Sequence, residues 1–209
     1  VFWKEECVWD SGWINTLEQR LTYAGTALRS GTRYSAAVSV RGEDGTEGRC
    51  EDWVFQTGLF EEWDASWIAP EEDFGAAAIY FEKDFDFQGR TPVSCVIYVC
   101  GIGYQRVRLN GAEIAEDEYL SPAVSSYHKR CYYTVHSGLE TMLAHGANLI
   151  EITVAQGWRR NPGKYVENTL KTRNIDFFGR PQLTAIIDVE FTDGSIERIQ
   201  TDDCWTCRK

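Results

Sequence analysis

A tryptophan set between a glutamine and two arginines is the arrangement in this chain best suited to chemistry. Gln156-Gly157-Trp158-Arg159-Arg160-Asn161 follows a strand-like run and opens a stretch without periodic pattern that continues to about Asp176. Long irregular segments of compact domains often carry function. An indole face stacks on the apolar side of a sugar ring while an amide and a guanidinium bond its hydroxyls. Gln156, Trp158 and Arg159 are therefore carbohydrate-binding candidates, and Tyr165, Asn168 and Asn174 lie in the same stretch. Alternatively, Trp158 packs the base of the loop and the arginines face solvent. Glu116-Asp117-Glu118 offers the hard oxygens that calcium takes, which makes Asp117 and Glu118 calcium candidates; the alternative is a solvated acidic turn. Arg106, Arg108 and Arg130 are candidate hydroxyl donors, although arginines on a sheet face beside carboxylates commonly form surface pairs of little energetic weight.

Other chemistries find no complete motif. Gly101-Ile102-Gly103 lacks the third glycine and the following helix of a nucleotide loop. His128, His136 and His145 have no metal-ligand spacing, and no serine or cysteine nucleophile motif is present, so no catalytic residue is assigned. The seven cysteines are odd in number and follow no framework spacing. Cys95, Cys100 and Cys131 sit in apolar runs, where a thiol behaves as a small hydrophobe, so reduced thiols and a cytoplasmic setting are expected rather than a disulfide scaffold. Zinc at Cys204-Trp205-Thr206-Cys207 would need a second ligand pair, and a redox Cys-x-x-Cys would open a helix. A net charge of −11 argues against nucleic-acid and anionic-membrane partners. No apolar run has the length of a bilayer span, and no signal pattern opens the chain. The first residue, Val1, suggests a piece excised from a longer protein.

The elements that must hold these residues read as strands. Val93, Cys95, Val96, Ile97 and Val99 form an apolar run expected to be buried on both faces. Tyr104–Leu109 alternates, and Asn110-Gly111 supplies the two positive-φ positions of a tight hairpin. Further strands are expected at Ala76–Phe87, Lys129–Val135, Asn148–Ala155, Pro181–Phe191, Ser195–Gln200 and Asp202–Thr206. One helix is expected from a capping box of Ser137 and Glu140, with Leu139, Met142 and Leu143 on one face and Gly146 ending it. The expected fold is all-β: residues 71–209 make a jelly-roll β-sandwich with one short helix. Before it, residues 61–70 make a linker whose Trp63 and Trp67 either close the seam between domains or contact glycan.

Residues 1–60 read as the closing strands of a fibronectin type III-like sandwich. Val8–Trp13 and Leu17–Tyr23 look like strands, and Thr32–Arg41 places Tyr34, Ala36, Val38 and Val40 on one face. Trp53-Val54-Phe55 begins a closing strand. Tyr34 is expected to form a tyrosine corner, its hydroxyl bonded to nearby backbone. About seven strands complete such a fold and about four fit here, so the unit is expected to be truncated, with a free sheet edge.

Nine segments in order carry a family resemblance: Val8–Gly12, Tyr23–Gly25, Leu28–Tyr34, Gly101–Tyr104, Leu109–Gly111, Tyr127-x-Lys129-Arg130, Gln156–Trp158, Arg180–Leu183 and Thr201-Asp202-Asp203-x-Trp205. Together they resemble the N-terminal region of bacterial α-L-rhamnosidases, over nearly the whole chain. The resemblance implies a parent glycoside hydrolase whose paired carboxylates sit in an (α/α)-barrel domain, a partner in the same polypeptide but not in these 209 residues. It implies a non-catalytic accessory role here, with the sandwich contributing to binding of rhamnose-containing glycans; the alternative is an independent calcium-assisted carbohydrate-binding module. Asn110 and Tyr127, which lie in these segments, join Arg130 among the carbohydrate-binding candidates. Where relatives often carry Pro-Gly-Trp-Thr-Asp-Tyr, this chain reads Pro122-Ala123-Val124-Ser125-Ser126-Tyr127, without the aromatic and acidic residues.

Overall fold

Antiparallel pairing builds each sheet of the described residues. The computed structural model describes residues 1–72, 77–123, 125–127, 129–157 and 180–209. They divide into two compact units, Val1–Trp63 and Asp64–Lys209.

In the first unit β1 (Phe2–Trp3), β2 (Glu6–Cys7), β3 (Arg33–Ala36) and β6 (Trp53–Gln56) form a sheet in the order β2-β1-β3-β6, while β4 (Ser39–Arg41) and β5 (Glu47–Arg49) pair separately. Tyr34 and Ala36 are buried, and Tyr34 stacks on Phe55 at 5.6 Å. The Arg29 amide donates to the Tyr34 hydroxyl at 2.9 Å, the tyrosine-corner bond. The expected strand Thr32–Arg41 is in fact broken. β3 pairs with β6 but β4 turns to β5, and the Cys50 amide bonds the Val38 carbonyl, so Val38 and Val40 are exposed. Val8–Trp13 and Leu17–Tyr23 are not strands: Val8 and Trp9 bond only the backbone of Val1, and no ladder among the described residues includes either stretch. Gly12 N–H instead closes on Asp10 Oδ1, and Leu17 and Leu21 are exposed.

The second unit is a two-sheet sandwich. Five strands lie in the order β10-β9-β12-β7-β15: β7 (Ile79–Asp86), β9 (Tyr104–Leu109), β10 (Ala112–Glu113), β12 (Ala147–Ala155) and β15 (Thr206–Arg208). Four lie in the order β11-β8-β13-β14: β8 (Pro92–Ile102), β11 (Thr134–Ser137), β13 (Gln182–Phe191) and β14 (Ile196–Gln200). Strict alternation along β12 buries Ile150, Ile152 and Val154 against Ile97, Val99, Leu183, Ala185 and Ile187 of the facing sheet. Full burial of each such branched side chain is worth roughly 1.5–3 kcal/mol. β8 is buried on both faces from Cys95 onward, as its unbroken apolar run requires.

Three elements differ from the sequence reading. The helix is a single 3₁₀ turn, Glu140–Met142, with no side-chain cap. Ser137 is taken as the last residue of β11, opposite Val96, and Gly138 at φ 75° turns the chain out of helical geometry. The strand at Lys129–Val135 starts only at Thr134, because Lys129 and Arg130 amides both bond the Ser126 carbonyl in a turn. Asp202–Cys204 is a turn closed by Asp202 Oδ1 on the Cys204 amide, and the strand follows at Thr206.

Residues 64–70 are bonded into the second unit. Ile68 and Leu183 exchange both backbone bonds, at 2.8 and 3.0 Å. The fully buried Thr201 donates its hydroxyl to Ser66 O at 2.6 Å and accepts from the Ala185 amide at 3.1 Å.

Candidate functional site

β8 leaves one sheet and returns as β9 in the other, and this corner positions the polar groups at one end of the sandwich. Gly103 sits at φ 141°, and a Cβ there would stand 1.9 Å from Ala155 O, so only glycine fits. Gly157, at φ 50°, packs against it: a Cβ on Gly157 would be 3.1 Å from Gly103 Cα. The glycine motif is thus a close crossing of two backbones.

Against this corner lies a chain of polar side chains, Gln105 and Ser121 buried and Thr134, His136 and Glu118 half-buried. Gln105 Oε1 accepts from the Gly101 amide at 2.6 Å, and its Nε2 donates to Val99 O at 3.3 Å and Thr134 Oγ1 at 2.8 Å. Thr134 Oγ1 lies 3.0 Å from His136 Nε2, which is 3.7 Å from Glu118 Oε2. Ser121 Oγ donates to Glu118 Oε1 at 2.6 Å, and the Gln105 amide bonds Ser121 O at 2.7 Å. With Gln105 donating to Thr134, the threonine hydroxyl is free to donate to an unprotonated His136 Nε2. Burial pushes the His136 imidazole below its ordinary pKa, and the Glu118 carboxylate opposes that shift. Arg106, Glu113, Ile114 and Ala115 complete a cavity of about 10 Å³, the size of about one water.

The candidate residues distribute unevenly around this end. Gln156 is half-buried, directly after Ala155, which pairs with Tyr104. Tyr127 is half-buried within the 125–130 turn, and Arg130 is exposed with its guanidinium 6.0 Å from the Tyr132 ring. Trp158, Arg159, Tyr165, Asn168 and Asn174 lie outside the described residues. Asn110 is not brought to Gln156. It lies beyond Leu109, at the far end of a six-residue strand and so about 17–20 Å from the corner. There it shapes the fold: Asn110, at φ 52°, and Gly111, at φ 84°, make the hairpin turn. Asn110 Nδ2 bonds Met142 O and Asn148 Oδ1, and its Oδ1 accepts from Leu149 N–H. Arg106 pairs with Glu113 at 3.0 Å and Arg108 with Glu151 at 3.3 Å.

Calcium takes six to eight oxygens, and Asp117 and Glu118 do not gather such a shell among the described residues. Glu118 is engaged by Ser121 and faces His136, while Asp117 is exposed. The described carboxylate and thiol groups that converge are Asp202, Asp203 and Cys204 instead. All seven cysteines are free thiols, and burial raises Cys95 and Cys100 to about 12. The sequence reading missed Gln105, Ser121 and Thr134, together with the exposed Tyr119, Tyr132 and Tyr133 of the same segment. The signal for Gln105 was a polar residue at an inward position of an alternating strand, just past two glycines.

Residues 90–209 match the model of the α-L-rhamnosidase N-terminal domain. The chain belongs to this family. Residues 3–61 match the Rha78A-like, N-terminal immunoglobulin domain, a sandwich class that shares its architecture with fibronectin type III. The α-L-rhamnosidase of Streptomyces avermitilis is 30% identical over 130 residues, which cover 62% of this chain and 12% of that protein. That of Alteromonas sp. (strain LOR) is 23% identical over 210 residues, covering 94% and 22%. The solved α-L-rhamnosidase from Dictyoglumus thermophilum superposes with a TM-score of 0.74 at 27% identity, over 96% of this chain and 23% of that one. The chain thus spans less than a quarter of each of these relatives, and the range matched by the α-L-rhamnosidase N-terminal domain includes Gly101–Gln105 and Gln156.

Proposed function

We propose that this chain is a non-catalytic accessory part of an α-L-rhamnosidase. In this reading it packs against and supports the catalytic (α/α)-barrel domain of the same polypeptide, and the end of the sandwich bearing Gln156, Tyr127 and Arg130 contributes to binding rhamnose-containing glycans. The observation that carries the reading is the asymmetry of coverage: 94% and 96% of this chain align with 22% and 23% of the Alteromonas and Dictyoglumus rhamnosidases.

Calorimetric titration with L-rhamnose, in calcium and in chelator, tests the glycan contribution. Saturable heat that disappears in Trp158→Ala is the expected result. A flat titration in both buffers removes glycan binding and leaves support of the barrel. Saturable heat only in calcium identifies an independent calcium-assisted module instead.

A further inference from the structure

Two thiols meet on the outer face of the four-stranded sheet. In the β8–β11 register Val99 stands opposite Thr134 and Tyr98 opposite Val135. Ile97 and Val99 point into the core, so Tyr98 and Cys100 point the other way. Tyr98 meets Tyr133 diagonally, ring centroids 6.2 Å apart. Two residues further along β8 and two residues back from Tyr133 are Cys100 and Cys131, which the same diagonal places side by side, the Cys131 thiol near enough to act on that of Cys100. Cys100 is 5% exposed and Cys131 half-buried, so one sulfur is sheltered and the other is within reach of a small molecule. The backbone just before Cys131 is held in place, with the Arg130 amide donating to Ser126 O at 3.0 Å and Ser125 Oγ to Arg130 O at 2.9 Å.

We propose that Cys100 and Cys131 are a modification site: they join in an intramolecular disulfide when the protein meets a small-molecule disulfide such as oxidised glutathione, and the bond ties the 115–133 segment to β8. The Cys131 thiolate attacks one sulfur of oxidised glutathione, forming a mixed disulfide and releasing one glutathione thiolate. Cys100 then gives its proton to solvent and attacks the Cys131 sulfur, which releases the second glutathione. The two protein thiols lose two electrons, one glutathione disulfide gains them, and two protons move to the two glutathione thiolates. Burial holds the Cys100 thiol at about 12, so Cys131 attacks first and the closing step is the slow one. The new cross-link closes the loop from residue 100 to residue 131 in the unfolded chain, which is the source of disulfide stabilisation in the chain-entropy account.

The test is a peptide map of the 209-residue chain after incubation with oxidised glutathione, quenched by iodoacetamide without reduction. Trypsin leaves Cys95 and Cys100 in one peptide, 91–106, and Cys131 in another. The expected product joins these two peptides, with fragmentation placing the link at Cys100 and the alkyl group at Cys95. The melting temperature is expected to rise by about 5–10 °C over reduced protein, and Cys131→Ser is expected to lose both effects. Recovery of Cys100 alkylated, with Cys131 either alkylated or carrying glutathione, overturns the proposal on wild-type protein alone. A cross-link with no rise in melting temperature overturns the claim that it ties the segment down.

Discussion

Gln105 answers a problem of position: at the β8–β9 corner three groups lose water together, the Gly101 amide, the Val99 carbonyl and the Thr134 hydroxyl, and one amide side chain reaches all three. Replacing it with leucine keeps the volume but takes this partner from the Gly101 amide and the Val99 carbonyl and leaves Thr134 with His136, each lost bond costing about 1–3 kcal/mol where burial is complete. Gln105→Leu is expected to lower the denaturant midpoint by an amount corresponding to about 2–4 kcal/mol, and an unchanged midpoint would contradict the network. His136, further along the chain, gives a pH dependence. Its folded pKa lies below its ordinary 6.5, so near and below pH 6.5 the unfolded state binds more protons than the folded state. Stability is therefore expected to be complete above that pH and to fall as pH drops toward the lowered folded value. Urea unfolding between pH 7.5 and 5 measures this: His136→Asn should flatten the slope, and Glu118→Gln, which removes the opposing attraction, should deepen it. This was not legible in sequence, because Glu118 and the Gln105 behind Thr134 meet the histidine only through the fold.

Local patterns gave elements, and non-local pairing decided where they stopped. Asn110-Gly111 predicts its hairpin because both positive-φ residues are named in the sequence, and β12 is legible from alternation alone. By contrast the β1–β2 hairpin turns through Lys4 and Glu5, which carry no turn signature despite φ of 47° and 68°. The capping box at Ser137 failed because pairing with β8 claims that serine before a helix can begin. Of the candidate residues, Arg106 and Arg108 lie in ion pairs and Asn110 holds a turn, which single-residue chemistry could not distinguish from ligand contact. Within the stretch 61–70 that composition reads as a linker, one threonine binds Ser66 to β13. Thr201→Val is expected to cost about 1–3 kcal/mol and to speed hydrogen exchange at the Ile68 amide. Unchanged protection at Ile68 would show that the threonine does not hold the segment.

At the scale of the whole molecule, the described residues of 64–209 pack two sheets face to face around one apolar core. In the reading proposed above, such a sandwich holds and extends a larger enzyme. The family match covers most of this unit, and each relative continues for more than three times the length of this chain. The most direct measurement is release of chromophore from an aryl α-L-rhamnoside by the purified 209-residue chain. The account predicts a trace no steeper than buffer; saturable turnover that follows the protein through purification would contradict it.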